Sequence, residues 1–93
     1  MIRKNIYFTE VGFSFDSSVY LPYATGTIAA YLKTVPGFNE KYNIADFIFR
    51  RESVKAVIEK MAAPFVVAFS CSIWNWQFNL KVAEELKKQH PDV

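Results

Sequence analysis

The sequence predicts an α/β domain built on a parallel sheet, and three observations lead there. Short segments rich in Val, Ile, Phe and Tyr alternate with longer amphipathic segments in the order strand–helix–strand–helix–strand–helix. Residues that start or stop such elements stand at the junctions: Gly12, Pro22, the pair Pro36-Gly37, Ser53 and Pro64. The run Pro64-Phe65-Val66-Val67-Ala68-Phe69 is unbroken and apolar, the pattern of a strand buried on both faces. It gives way abruptly to Ser70-Cys71-Ser72-Ile73-Trp74-Asn75-Trp76.

The first strand reads as Ile6-Tyr7-Phe8-Thr9-Glu10-Val11-Gly12, closed by a glycine that permits a turn. A hydroxyl-rich loop follows, Phe13-Ser14-Phe15-Asp16-Ser17-Ser18-Val19-Tyr20. Pro22 suits the first turn of a helix, where its missing N–H would have no partner anyway. Ala24, Ile28, Tyr31, Leu32 and Val35 then fall at helical spacing until Pro36-Gly37 stops the helix. Gly26 inside it costs about 1 kcal/mol relative to Ala, which leaves two readings, sequence drift or close approach of the helix to a strand or ligand.

Residues 42–49 read as the second strand, with apolar residues on both faces. Ser53 is an expected N-cap for a helix running to Met61, with Val54, Val57, Ile58 and Met61 as its buried stripe. After Trp76 a third helix carries Phe78, Val82 and Leu86 four apart, with Ala83 beside them. Lys87 and Lys88 stand in its last turn, where the helix dipole favours positive charge. Joined by crossovers, the strands are expected in the spatial order 2-1-3. That is a doubly wound sheet of the flavodoxin-like, Rossmann-like kind, truncated to three βα units where five strands are usual. Residues 1–93 are accordingly expected to be the N-terminal part of a larger domain. The edge of the third strand along 65–70 is then open to pairing, with self-association or marginal stability as the consequence.

Composition narrows the function. Ninety-three residues make one small domain, and 52% hydrophobic with 22% charged residues supports a packed core. The formal net charge is +2, and no Lys/Arg cluster exceeds Arg50-Arg51 or Lys87-Lys88. A basic stripe for nucleic acid is missing. No apolar segment approaches the roughly 20 residues that span a bilayer. Met1-Ile2-Arg3-Lys4-Asn5-Ile6 runs straight into a strand pattern without a signal-peptide core, so a cytoplasmic location is expected. One cysteine allows no internal disulfide.

Ligands of open α/β sheets bind outside the carboxyl ends of the strands. In a 2-1-3 order the loops after strands one and three are neighbours, and their polar residues are Ser14, Asp16, Ser17, Ser18 and Tyr20 on one side and 70–76 on the other. Hydroxyls, helix N-terminal amides and flat rings suit a large, partly apolar ligand bearing phosphate or amide groups. Catalytic constellations are lacking. Cys71 reads as a small buried thiol, and His90 belongs to the far end of the third helix. Glu10, Asp16 and Asp46 are dispersed, and neither a phosphate-binding loop nor Gly-x-Gly-x-x-Gly occurs. The chain reads as a binding module. A flavin is one alternative ligand, its phosphate on the hydroxyl-rich loop and its ring stacked on Trp74 or Trp76. A protein-interaction domain with no cofactor, its tryptophans packed on a neighbouring domain, is another.

Residues 12–31, with Ser18-Val19-Tyr20-Leu21-Pro22-Tyr23-Ala24 and Gly26, resemble the N-terminal domain of cobalamin-binding radical SAM proteins. So do Asp46-Phe47-Ile48-Phe49-Arg50-Arg51-Glu52, the run 64–70 and Trp74-Asn75-Trp76. The resemblance implies a flavodoxin-like cobalamin domain in front of a barrel, which would be its partner within the same protein. The barrel would hold a [4Fe–4S] cluster on Cys-x-x-x-Cys-x-x-Cys, bind S-adenosylmethionine, and carry out methyl transfer or related radical chemistry. That motif is absent here, so catalysis would lie beyond Val93 and this chain would hold no catalytic residue. Ser70 matches the serine that lies near the nucleotide tail in related domains. Better-known cobalamin domains place Asp-x-His-x-x-Gly after strand one, whereas residues 12–18 contain no histidine. The cofactor would be held without a His ligand, with Phe13, Phe15, Tyr20, Leu21 or water below the cobalt. The implied cofactor contacts are Gly12, Phe13, Phe15, Ser17, Ser18, Tyr20, Leu21, Ser70, Ser72, Trp74 and Asn75.

Overall fold

Three strands form the sheet in a computed structural model, which describes residues 2–12 and 21–93. They are β1 (Lys4–Thr9), β2 (Tyr42–Ile48) and β3 (Pro64–Phe69), all parallel, in the order β2-β1-β3. The helices are α1 (Tyr23–Leu32), a single turn α2 (Phe38–Lys41), α3 (Val54–Glu59) and α4 (Trp76–Gln89). The parallel α/β class and the 2-1-3 order are those the sequence predicts.

Alternation along β1 divides the core. Ile6 and Phe8 point to one face, where they meet Ala29 of α1, flanked by Leu32, Ile44, Phe47 and Ala68. Tyr7 points to the other face and packs with Ile48 of β2, Val57 and Ile58 of α3, Met61 just after it, and Val82 and Leu86 of α4. The register agrees: Phe8 stands opposite Phe47 and Ala68, and Thr9 opposite Ile48 and Phe69. The Tyr7 hydroxyl donates to the Ala62 carbonyl at 2.8 Å, which satisfies the ring's polar tip. Val57, Met61, Val82 and Leu86 are almost fully enclosed. Burial of each is worth about 2 kcal/mol, so the α3/α4 face is the stronger half of the core.

Ser53 caps α3 as expected, its Oγ accepting from the Ala56 N–H at 3.1 Å. Gly37 supplies the left-handed turn, at φ 85°, between α1 and the short α2. The α2 turn has no counterpart in the sequence reading. Strand one is displaced: β1 ends at Thr9, although Glu10 N and Gly12 N still donate to Ile48 O and Phe49 O at 2.9 and 3.3 Å.

The first helix departs most from expectation. Its buried residues are Thr25 and Ala29, while Ile28 is 53% exposed and Tyr31 is exposed too. The apolar spacing was real but lay on the wrong stripe, because the helix approaches the sheet with its small side chains. A Cβ at Gly26 would meet nothing within 4 Å, so that glycine does not mark a close approach to a strand. Strand β3 is likewise not buried on both faces: Phe65 is 39% and Val66 41% exposed. With β1 on one side only, β3 is the sheet's edge, as the 2-1-3 order requires.

Candidate functional site

Strands β1 and β3 end side by side, and the Ser70 N–H extends their pairing by donating to Thr9 O at 2.8 Å. Beyond that point the chains separate and enclose a crevice of about 370 Å3, lined by Glu10, Val11, Gly12, Leu21, Ser70, Ser72, Trp74 and Asn75. Val11, Leu21 and the Trp74 ring give it apolar walls. Glu10, Ser70, Ser72 and Asn75 give it polar groups.

Asn75 fixes this shape. Its side chain is 2% exposed and lies between the two strand ends. Nδ2 donates to Val11 O at 3.0 Å and to Ser70 O at 2.9 Å, while Oδ1 accepts from Ser72 N at 2.7 Å. One amide thus ties the end of β1 to the loop after β3 and folds that loop back on itself. Asn79, one helical turn on and also buried, donates from Nδ2 to Ser70 O, Cys71 Sγ and Asn75 Oδ1, each at 3.3 Å. These hydrogen bonds hold both buried amides in place. Among the described residues, Asn79 Oδ1 and Thr9 Oγ1 are buried without a partner.

Glu10 occupies the opposite wall. Its Oε1 accepts from Thr25 N at 2.7 Å and Thr25 Oγ1 at 2.9 Å, and Oε2 accepts from Ala24 N at 3.4 Å. These are first-turn amides of α1, whose own N-cap residue, Pro22, makes no side-chain cap. A carboxylate just beyond β1 therefore occupies first-turn amides of α1, helix N-terminal groups of the kind that suit a ligand phosphate or amide.

Six of the expected contacts come together on this crevice: Gly12, Leu21, Ser70, Ser72, Trp74 and Asn75. Phe13, Phe15, Ser17, Ser18 and Tyr20 lie outside the described residues. Glu10, Val11 and the supporting Asn79 were missed. A carboxylate at a strand's carboxyl end and an Asn-x-x-x-Asn pair opening a helix were the available signals. Cys71 is a correction: its thiol is exposed, because the loop turns its neighbours Ser70 and Ser72 inward instead. Trp74 is half exposed, and its carbonyl accepts from Arg51 Nη2 at 2.7 Å. His90 caps the far end of the 14-residue α4, about 21 Å along its axis from Trp76. No imidazole lines the crevice among the described residues. On the solvent face of α4, the hydrogen bond and charge of Glu85, with the charge of Glu84, hold Lys88 above its usual range.

Over 74 residues the chain is 28% identical to 2-(S-pantetheinyl)-carbapenam-3-carboxylate methyltransferase of Streptantibioticus cattleyicolor. Over the same length it is 27% identical to the cobalamin-dependent radical SAM methyltransferase TokK of Streptomyces tokunonensis. The match takes in 80% of this chain and 11% of each relative, so the chain spans about a tenth of the length of the curated relatives it matches. No family model matches. The similarity is to part of two methyltransferases, one named for cobalamin-dependent radical SAM chemistry. Among the described residues no helix is long and apolar enough to cross a membrane, and no three His, Cys, Asp or Glu side chains gather as a metal site.

Proposed function

We propose that this chain is the N-terminal part of a cobalamin-binding domain in a radical SAM methyltransferase, holding the cofactor without a histidine ligand. The observation that supports it best is the crevice at the adjoining ends of β1 and β3, combining apolar walls with hydrogen-bonding groups at the position where such sheets take ligands. The similarity to TokK points the same way. The donor set fits the group: a corrin periphery carries neutral amides and apolar edges, which Ser70, Ser72, Glu10 Oε2, Leu21 and Trp74 complement. Bound cobalamin would supply the methyl-transfer chemistry, with a [4Fe–4S] cluster and S-adenosylmethionine held elsewhere in the whole protein. This chain's residues bind and orient: Asn75 fixes the two loops, Ser70 and Ser72 offer hydroxyls, and Trp74 covers an apolar face.

Glu10 bears on one mode of the flavin alternative only: a flavin phosphate directed at the α1 N-terminus, and not at the hydroxyl-rich loop, would meet a negative charge already seated there. The test uses the protein produced from its complete reading frame, titrated separately with hydroxocobalamin and with flavin mononucleotide. Hydroxocobalamin is expected to bind saturably with a change in visible spectrum, and the flavin is not. Trp74→Ala should weaken cobalamin binding about tenfold while moving stability little, since the ring is half exposed. Saturable flavin binding with quenched fluorescence would favour the alternative. Binding of neither would leave only the interaction role.

A further inference from the structure

Resting on the cobalamin reading, we propose that Glu10 is a specificity-determining residue of the crevice. It fills the α1 N-terminus as an internal anion and offers Oε2 to a ligand amide N–H. The crevice thereby selects ligands edged with neutral amides and rejects carboxylate or phosphate at that edge.

The first-turn amides of a helix need partners, and Pro22, at the N-cap of α1, makes no side-chain cap. Glu10 meets that need from another element, with Thr25 N at 2.7 Å and Ala24 N at 3.4 Å. Thr25, which receives the shorter bond, is 4% exposed and is one of two buried residues of α1, so the carboxylate is held against a fixed part of the fold. The two oxygens are then unequal. Among the described residues, Oε1 takes both Thr25 donors at 2.7 and 2.9 Å, whereas Oε2 has one long contact. A carboxylate oxygen can accept more than one donor, and Glu10 lines the crevice. Oε2 is therefore an acceptor with capacity left beside the ligand space. A neutral amide N–H satisfies it, and an anion at the same place meets like charge without free helix amides to compensate.

The experiment is a competition series with the protein made from its complete reading frame, by equilibrium dialysis. The ligands are hydroxocobalamin and its three monocarboxylates, each with one peripheral propionamide hydrolysed. At least one monocarboxylate is expected to bind the wild-type protein about tenfold more weakly than hydroxocobalamin. In Glu10→Gln, which keeps an acceptor and removes the charge, that penalty should fall to about threefold or less. Equal binding of all four corrinoids, or a penalty unchanged in Glu10→Gln, would overturn the proposal alone. Failure of hydroxocobalamin itself to bind the wild-type protein would overturn the cobalamin reading, and the amide half of the proposal with it. A ligand-free arm tests the other half. Sulfate, compared with chloride at matched ionic strength, should raise the Tm of Glu10→Ala more than that of wild type, because the vacated helix end takes the anion. An equal gain in both proteins would overturn the internal-anion assignment.

Discussion

Replacing Asn75 by alanine is expected to remove about 3 kcal/mol of stability and to abolish binding in the crevice. The side chain is buried, and its loss strands three backbone groups: Val11 O, Ser70 O and Ser72 N. Each unpaired buried group costs about 1–3 kcal/mol, moderated where water can enter. Against a total stability of about 5–15 kcal/mol for a small domain, this is a large fraction. Asn75→Asp separates the two jobs of the amide. Its carboxylate still accepts from Ser72 N–H but cannot donate to the two carbonyls, and it directs negative charge at them. Urea unfolding should place Asn75→Asp close to Asn75→Ala, with Trp74→Ala close to wild type. If Asn75→Ala unfolds within about 0.5 kcal/mol of wild type, a value typical of surface changes, the clamp is not what holds the crevice.

The second large effect concerns β3. This edge strand is paired only with β1, and its Phe65 and Val66 are 39% and 41% exposed. A net charge of +2 gives little repulsion between copies. The 93-residue chain by itself is therefore expected to self-associate along this edge, as a second copy supplies the missing neighbour. Val66→Lys places a charge on that strand and should shift the population to monomer, read by sedimentation or light scattering as a function of concentration. A wild-type chain that stays monodisperse and monomeric with a sharp thermal transition would contradict this.

What was legible in the sequence, and what was not, follows from which signals are local. Ser53, Pro64 and the Val57, Ile58 and Met61 stripe announce α3 and β3 through capping, proline and periodicity, and all are found in those roles. The 2-1-3 order was legible because alternating strands and helices leave few topologies. The buried stripe of α1 was not, because Thr25 and Ala29 owe their burial to the distance between helix and sheet, not to hydropathy. Cys71 was misplaced for a related reason: the loop's direction depends on Asn75 and Asn79, two polar residues whose burial hydropathy does not foretell. Glu10 illustrates the same gap. Its partners lie 14 and 15 residues away, and only the fold brings them to its carboxylate.

A corrinoid seated on the adjoining ends of β1 and β3 would be read out by amide hydrogen exchange of the protein from its complete reading frame, with and without hydroxocobalamin. Bound cofactor should slow exchange at residues 10–12 and 70–76, which form and brace the crevice, and leave α3 unchanged. Saturating cobalamin that leaves 70–76 exchanging as in the free protein would contradict the assignment.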